Sequence, residues 1–214
     1  MARVKPKRPY DSSLRKQQAG QTRLRILDAA QVLFAERGYA VSTIEAIATS
    51  AGVAVDTVYA AFGSKRGVLK ALLDVRVGGD EEKVDLLERP GPQKVQHTQD
   101  QKAQLAAFAA DISSIIERAR PVDDIMRGAA AVDADIATLR TQAQAYRYGN
   151  MRRLVSWLVS NGPLRAGLTE EEAAAIVWTM ASPEVHGLLR VVRGWSAERY
   201  RDWLRESLTR ILLP

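Results

Sequence analysis

With 214 residues the chain can bury a sizeable core, as one compact unit or as two small lobes packed together, and two lobes are expected here. Apolar residues make up 46% and charged residues 26%, which excludes a disordered chain, and no apolar run approaches the ~20 residues of a membrane span. Cysteine is absent, which excludes disulfides, thiol catalysis and cysteine-bound metal; with no apolar stretch behind the basic N-terminus, a cytoplasmic location is expected.

Residues 1–21 hold six basic residues and two prolines without apolar periodicity, and read as a flexible basic arm. A helix is predicted from Thr22, with Ile26, Leu27, Ala30, Leu33 and Phe34 on one face and Gly38 as its stop. Ser42 and Glu45 have capping-box spacing, which predicts a short helix from Thr43 to about Ser50. Ser64 is expected to cap a helix carrying Val68, Leu69, Leu72 and Leu73, ended by Gly78-Gly79. The acidic stretch Asp80 to Glu88 and the run Arg89-Pro90-Gly91-Pro92 read as a loop, and residues 77–97 as the linker between lobes.

Beyond the linker, helices are predicted over about 98–118, 122–130 and 133–160, with Gly162-Pro163 ending the last. Thr169 and Glu172 form a second capping box, and Ser182-Pro183 restarts a helix with proline at its first position. The final helix spans about Ser196 to Leu213, with Tyr200, Leu204, Leu208 and Leu212 on one stripe. No β pattern is present, so the fold class is all-α: a helix-turn-helix lobe over residues 22–76 and a larger helical lobe over 98–214.

The segment from Ser42 to Phe62 carries the chemistry. A helix-turn-helix needs a small residue where its helices cross, a glycine in the turn and an inward apolar residue on the second helix. Ala48, Gly52 and Val58 supply these, with Ile47, Ala51 and Val53 on the inner side. Charge points the same way. Met1 to Arg76 holds 13 Lys/Arg against 6 Asp/Glu, whereas Val77 to Pro214 holds 18 against 19, so the excess lies where a polyanion such as DNA would be met.

The order Arg25-Ile26-Leu27-Asp28-Ala29-Ala30, Leu33-Phe34-Ala35-Glu36-Arg37-Gly38-Tyr39, Ile47-Ala48, Ala51-Gly52-Val53, Thr57-Val58-Tyr59, Phe62 and Ser64-Lys65 resembles the tetracycline-repressor (TetR) family of bacterial regulators. Ser182-Pro183-Glu184-Val185 through Arg193-Gly194-Trp195-Ser196 and Arg199-Tyr200 is similar to one of its subgroups. The resemblance implies an all-α homodimer that binds a double-stranded DNA operator through its first lobe and a small-molecule effector through its second. It further implies phosphate contacts from Thr43, Tyr59 and Lys65, with Ser42 beside them, and base-edge contacts from Val55, Asp56, Thr57 and Ala60. Two residues depart from the family pattern: Ala54 stands where a capping serine is common, and Asp56 where neutral or basic residues are usual. A carboxylate there is repelled by phosphates unless it accepts from a cytosine N4 or pairs with the helix N-terminus.

In the larger lobe, Phe108, Met126, Tyr146, Trp157 and Trp178 are candidates for the wall of a pocket for a mainly hydrophobic effector, although each is also at core spacing. The last two helices, about Pro183 to Val192 and Ser196 to Leu213, are expected to form a dimer interface. His97 and His186 have no metal-ligand spacing, and no nucleotide, nucleophile-elbow or phosphate-loop motif is present, so neither an enzyme nor a cofactor is expected. The competing readings are a non-specific architectural DNA binder and a helical interaction protein that no longer binds DNA.

Overall fold

A computed structural model describes residues 12–214, with side chains from Gln17 onward. Most of the expected basic arm lies outside the described residues; from Ser12 onward the chain is already helical, ten residues before the apolar spacing begins. Helix α1 (Ser12–Arg37) buries Ile26, Leu27, Ala30, Leu33 and Phe34, the face the spacing predicts. Helix α2 (Ile44–Ala51) ends at Gly52, whose φ of 64° and ψ of 43° is a left-handed conformation that a side chain would strain. Helices α3 (Val55–Phe62) and α4 (Lys65–Gly78) follow, and the Ser64 hydroxyl caps α4 by accepting from Gly67 N–H at 3.0 Å. Gly67 lies so close to the end of α3 that a Cβ there would meet Phe62 O at 1.9 Å, which sets how tightly α4 follows α3.

Three sequence expectations are corrected here. The first capping box is displaced by one residue: Thr43, not Ser42, caps α2, its hydroxyl accepting from Ala46 N–H at 3.2 Å, so Glu45 cannot reach back as the box requires. The proline run after Arg89 opens a helix instead of a loop. Helix α5 (Pro90–His97) has proline at its first position, where the absent N–H has no partner to lose. The predicted helices at 98–118 and 122–130 form one rod, α6 (Gln101–Ala130), with Pro121 inside it. An interior proline costs about 3 kcal/mol. Burying Val122 and Met126 just beyond it, at roughly 1.5–3 kcal/mol each, offsets that.

Helix α7 (Ala134–Asn161) is capped by Asp133, and α8 (Glu170–Met180) by the Thr169–Glu172 box, in which Thr169 N–H donates to Glu172 Oε2 at 2.9 Å and Glu172 N–H to Thr169 Oγ1 at 3.2 Å. Helix α9 (Pro183–Gly187) runs into a π-helical turn over Leu188–Val192, and α10 (Ala197–Leu212) closes the chain.

Two cores result, and α6 serves both. The first combines α1–α4 with Val122, Ile125, Met126 and Ala129 from the end of α6 and Ile136 from the start of α7. The second packs Leu105, Phe108 and Ile112 of α6 against Leu154 and Leu158 of α7, Val177 of α8, and Tyr200, Leu204 and Leu208 of α10. Between them, the C-terminal carbonyls of α4 are held by arginines from the other side: Arg118 of α6 donates to Arg76 O at 3.2 Å, and Arg89 donates to Gly78 O at 2.7 Å while pairing with Asp80.

Candidate nucleic-acid interface

The α2–α3 corner is built from the inside out. Ile47, Ala48, Ala51 and Val58 are buried, so the helices cross on small and apolar residues as the pattern requires. At 3.6 residues per turn, Asp56 and Ala60, two residues either side of Val58, each lie about 160° from it. They form the outward crest of α3, and both are exposed. Thr57 and the exposed Ala61 flank one side of that crest; Tyr59, 47% exposed, and the half-buried Val55 flank the other. Ala54 begins α3 with no side-chain cap, as its residue type implies.

Two members of the expected site are otherwise engaged. Ser42 is buried, and its hydroxyl donates toward Gly38 O at 2.8 Å and Leu33 O at 3.2 Å, pinning the α1–α2 turn. Lys65 Nζ donates to Tyr39 O (2.9 Å), Ser42 O (3.0 Å) and Ala40 O (3.3 Å), and sits 4.3 Å from the centre of the Tyr39 ring. An ammonium has three donors, and in this structure those of Lys65 meet three carbonyls, so that it clamps the α1–α2 turn. Thr43 is exposed at the N-terminus of α2, beside the Glu45 carboxyl, which is held below its usual range by its own backbone N–H and then by the Thr43 hydroxyl. Sequence reasoning missed Arg23, which donates to Ala61 O at 2.9 Å, lies 4.2 Å from the centre of the Phe62 ring and pairs with Glu81 at 3.1 Å. It ties the end of α3 to the segment that follows α4.

The five pocket candidates do not converge. Met126 belongs to the first core, Phe108 to the second, and Trp157 and Trp178 pack partly buried against the second. Tyr146 is half exposed and donates to Asp85 at 3.0 Å. Two concavities, of about 530 and 490 Å³, lie between the ends of α1 and α6 and beside Trp195 and Trp203, and none of the five lines either.

What the larger lobe does hold is a polar cluster in which His186 and Tyr200 are buried and Arg147 and Trp178 half-buried. Arg147 donates to Trp178 O at 2.7 Å and lies 4.6 Å from the centre of the Trp178 ring, and burial pulls its pKa down to about 10. The ring of His186 meets that of Tyr200 edge-on at 4.7 Å. His186 Nε2 faces Glu117 at 2.9 Å and so donates to it, and burial lowers its pKa. Among the described residues, His186 Nδ1, the Tyr200 hydroxyl and the Trp178 indole N–H are buried without a partner. Arg147 was legible in part, because it shares the helical register of Met151, Leu154 and Leu158. A charge at a core position is itself a signal.

A basic lobe that buries the hinge of a helix-turn-helix and turns one helix crest outward defines a DNA-binding regulator. Residues 26–72, the helix-turn-helix lobe, match the family model of bacterial regulatory proteins, tetR family. The whole fold agrees. NalD, the secondary repressor of the MexAB-OprM multidrug efflux pump of Pseudomonas aeruginosa, superposes with a TM-score of 0.68 at 21% identity, over 92% of this chain and 98% of that one. SmeT, solved with triclosan, superposes at 0.67 and 23% identity over 91% and 92% of the two chains, and the fatty acid degradation regulator FadR of Bacillus halodurans at 0.69 and 17% over 88% and 95%. No curated protein matches the chain in sequence. Among the described residues no helix is long and apolar enough to cross a membrane.

Proposed function

We propose that the protein is a cytoplasmic, ligand-released repressor whose homodimer sets two α3 helices into successive major grooves of a near-palindromic operator. The observation that carries this reading is the outward crest of α3, held by an apolar corner with Tyr59 on its flank, while Thr43 is exposed at the start of α2. Thr43 and Tyr59 bond phosphates, and Val55, Asp56, Thr57 and Ala60 face the bases. Ser42 and Lys65 fix the shape of the lobe.

The dimer forms through α9 and α10. Leu188, Val191 and Val192, on the π-helical turn, are 59%, 61% and 72% exposed, a contiguous apolar surface that a second copy would cover. The effector enters the larger lobe. Phe108, Trp157 and Trp178 give that lobe apolar surface for a largely apolar molecule without lining one cavity together, and the unpartnered atoms of His186, Tyr200 and Trp178 suit one that carries polar groups as well. That site meets α6, and Arg118 of α6 grips the end of α4, so a shift of α6 moves α4 and changes the spacing of the two α3 helices. Effector and operator then weaken each other reciprocally.

Selection of bound duplexes from random DNA, followed by anisotropy titration over a range of salt, tests the reading. A palindrome bound at least roughly 1,000-fold more tightly than random DNA is expected. Binding with no sequence preference supports an architectural protein instead, and no binding at low salt supports an interaction protein.

A further inference from the structure

Helix α3, Val-Asp-Thr-Val-Tyr-Ala-Ala-Phe, contains no Lys, Arg, Asn or Gln. The side chains that read guanine and adenine by paired hydrogen bonds are therefore absent from the helix that enters the groove. The cations that follow or touch α3 are engaged elsewhere: Lys65 by three carbonyls, Arg66 by Asp135 at 2.6 Å, and Arg23 by Ala61 O, Phe62 and Glu81. The charged group on the crest is a carboxylate, Asp56, in the first turn of α3, exposed and bonded to no other side chain among the described residues. In helix-turn-helix docking, the N-terminal residues of the second helix reach the base edges.

We propose that Asp56 selects cytosine in each operator half-site, an inference that rests on the operator-binding reading above. The four bases offer a carboxylate different edges in the major groove. Guanine shows two acceptors and thymine an acceptor beside a methyl, so both repel it; adenine shows an amino group beside the N7 acceptor, which opposes the second oxygen. Cytosine shows its N4 amino group with no acceptor on its own edge, so a carboxylate approaching from the cytosine side meets a donor first. Asp56 thereby turns its unfavourable charge near phosphates into discrimination: every register without a cytosine there is penalised. Ala60, on the same crest one turn on, stands about 6 Å further along the axis, one to two base-pair steps of about 3.4 Å, and its methyl group packs on a thymine methyl. Thr57, on the flank, bonds either base type and adds little discrimination.

The test uses the full chain with Asp56→Ala and Asp56→Asn. Duplexes are selected from random DNA at one salt concentration, and the best is titrated together with copies in which the selected cytosine is replaced by each other base. The unsubstituted protein is expected to prefer cytosine over guanine and thymine by roughly 10-fold or more at one position per half-site, with thymine within two base pairs. Asp56→Ala flattens that position and leaves the thymine. Asp56→Asn moves the preference to adenine, whose N6 and N7 an amide matches. A preference that Asp56→Ala leaves unchanged overturns the inference, and so does a rise in affinity on every duplex alike, the mark of a carboxylate that only repels phosphate. If the unsubstituted chain selects no sequence at all, the operator reading fails with it. Thermal melting of both variants, expected to match the parent, shows that any change arises at the DNA.

Discussion

The two lobes are built on opposite principles. The first keeps its interior apolar and turns its polar groups outward or into clamps: Ser42 and Lys65 bond carbonyls of one turn, and Thr43 and Asp56 face solvent. The second buries His186 and Tyr200 beside a half-buried Arg147 and leaves the His186 Nδ1 and the Tyr200 hydroxyl unpaired. Unpaired buried groups cost stability, and a ligand that bonds them recovers it, which is why the proposed function gives the response to the second lobe. A reader gains from rigidity and a sensor from unmet bonds.

Four changes would break or sharpen that contrast. The largest effect is expected from Val191→Asp, which places a charge on the proposed dimer face at about 3–5 kcal/mol. Analytical ultracentrifugation should show monomers and operator affinity should collapse, whereas an intact dimer would locate the interface elsewhere. Met126→Ala should cost about 2–5 kcal/mol, and because Met126 packs in the first core, hydrogen exchange should rise in α1–α4 although the residue lies on α6. Exchange confined to α7–α10 would contradict the shared core. Lys65→Met removes donors from three carbonyls and should lower stability by about 1–3 kcal/mol. A variant with unchanged melting but weaker DNA binding would restore the phosphate role that the resemblance implies. The smallest effect is expected from Tyr200→Phe, which deletes a buried hydroxyl without a partner; stability should stay level or rise by up to about 1 kcal/mol, and a loss beyond that in denaturant titration would mean the hydroxyl is bonded.

A pH titration adds a further check on the second lobe. Burial lowers the pKa of His186, so the unfolded chain takes up that proton first, and this contribution to stability is complete above 6.5 and declines as pH falls toward the folded value. Asp111 and Asp123, raised by burial, act with the opposite sign at lower pH. Comparing the parent with His186→Gln isolates the histidine: the variant should lose the decline just below 6.5, and an identical profile would mean the ring does not titrate there.

The corner was legible because its requirements are local. Ala48, Gly52 and Val58 satisfy a steric pattern within eleven residues, and the Thr169–Glu172 box depends only on spacing. What escaped reading depends on contacts between distant residues. Ser42 and Thr43 can both cap a helix, and the choice falls to Thr43 because Ser42 finds carbonyls at Leu33 and Gly38. Lys65 could only be recognised as a clamp once carbonyls 23 to 26 residues away were brought to it. Met126 has the spacing of a pocket or a core residue, and nothing in the spacing says which lobe it joins.

The position of Pro121 has a mechanical consequence. It falls where α6 leaves the second core, whose last contributions are Ile115 and Ile116, and enters the first, which begins at Val122. A proline removes one rung of the hydrogen-bond ladder there and permits a bend. The rod joining the two lobes is thus weakest at the seam between them, and under the proposed function a small tilt of its first half would be delivered to α1–α4 by its second half.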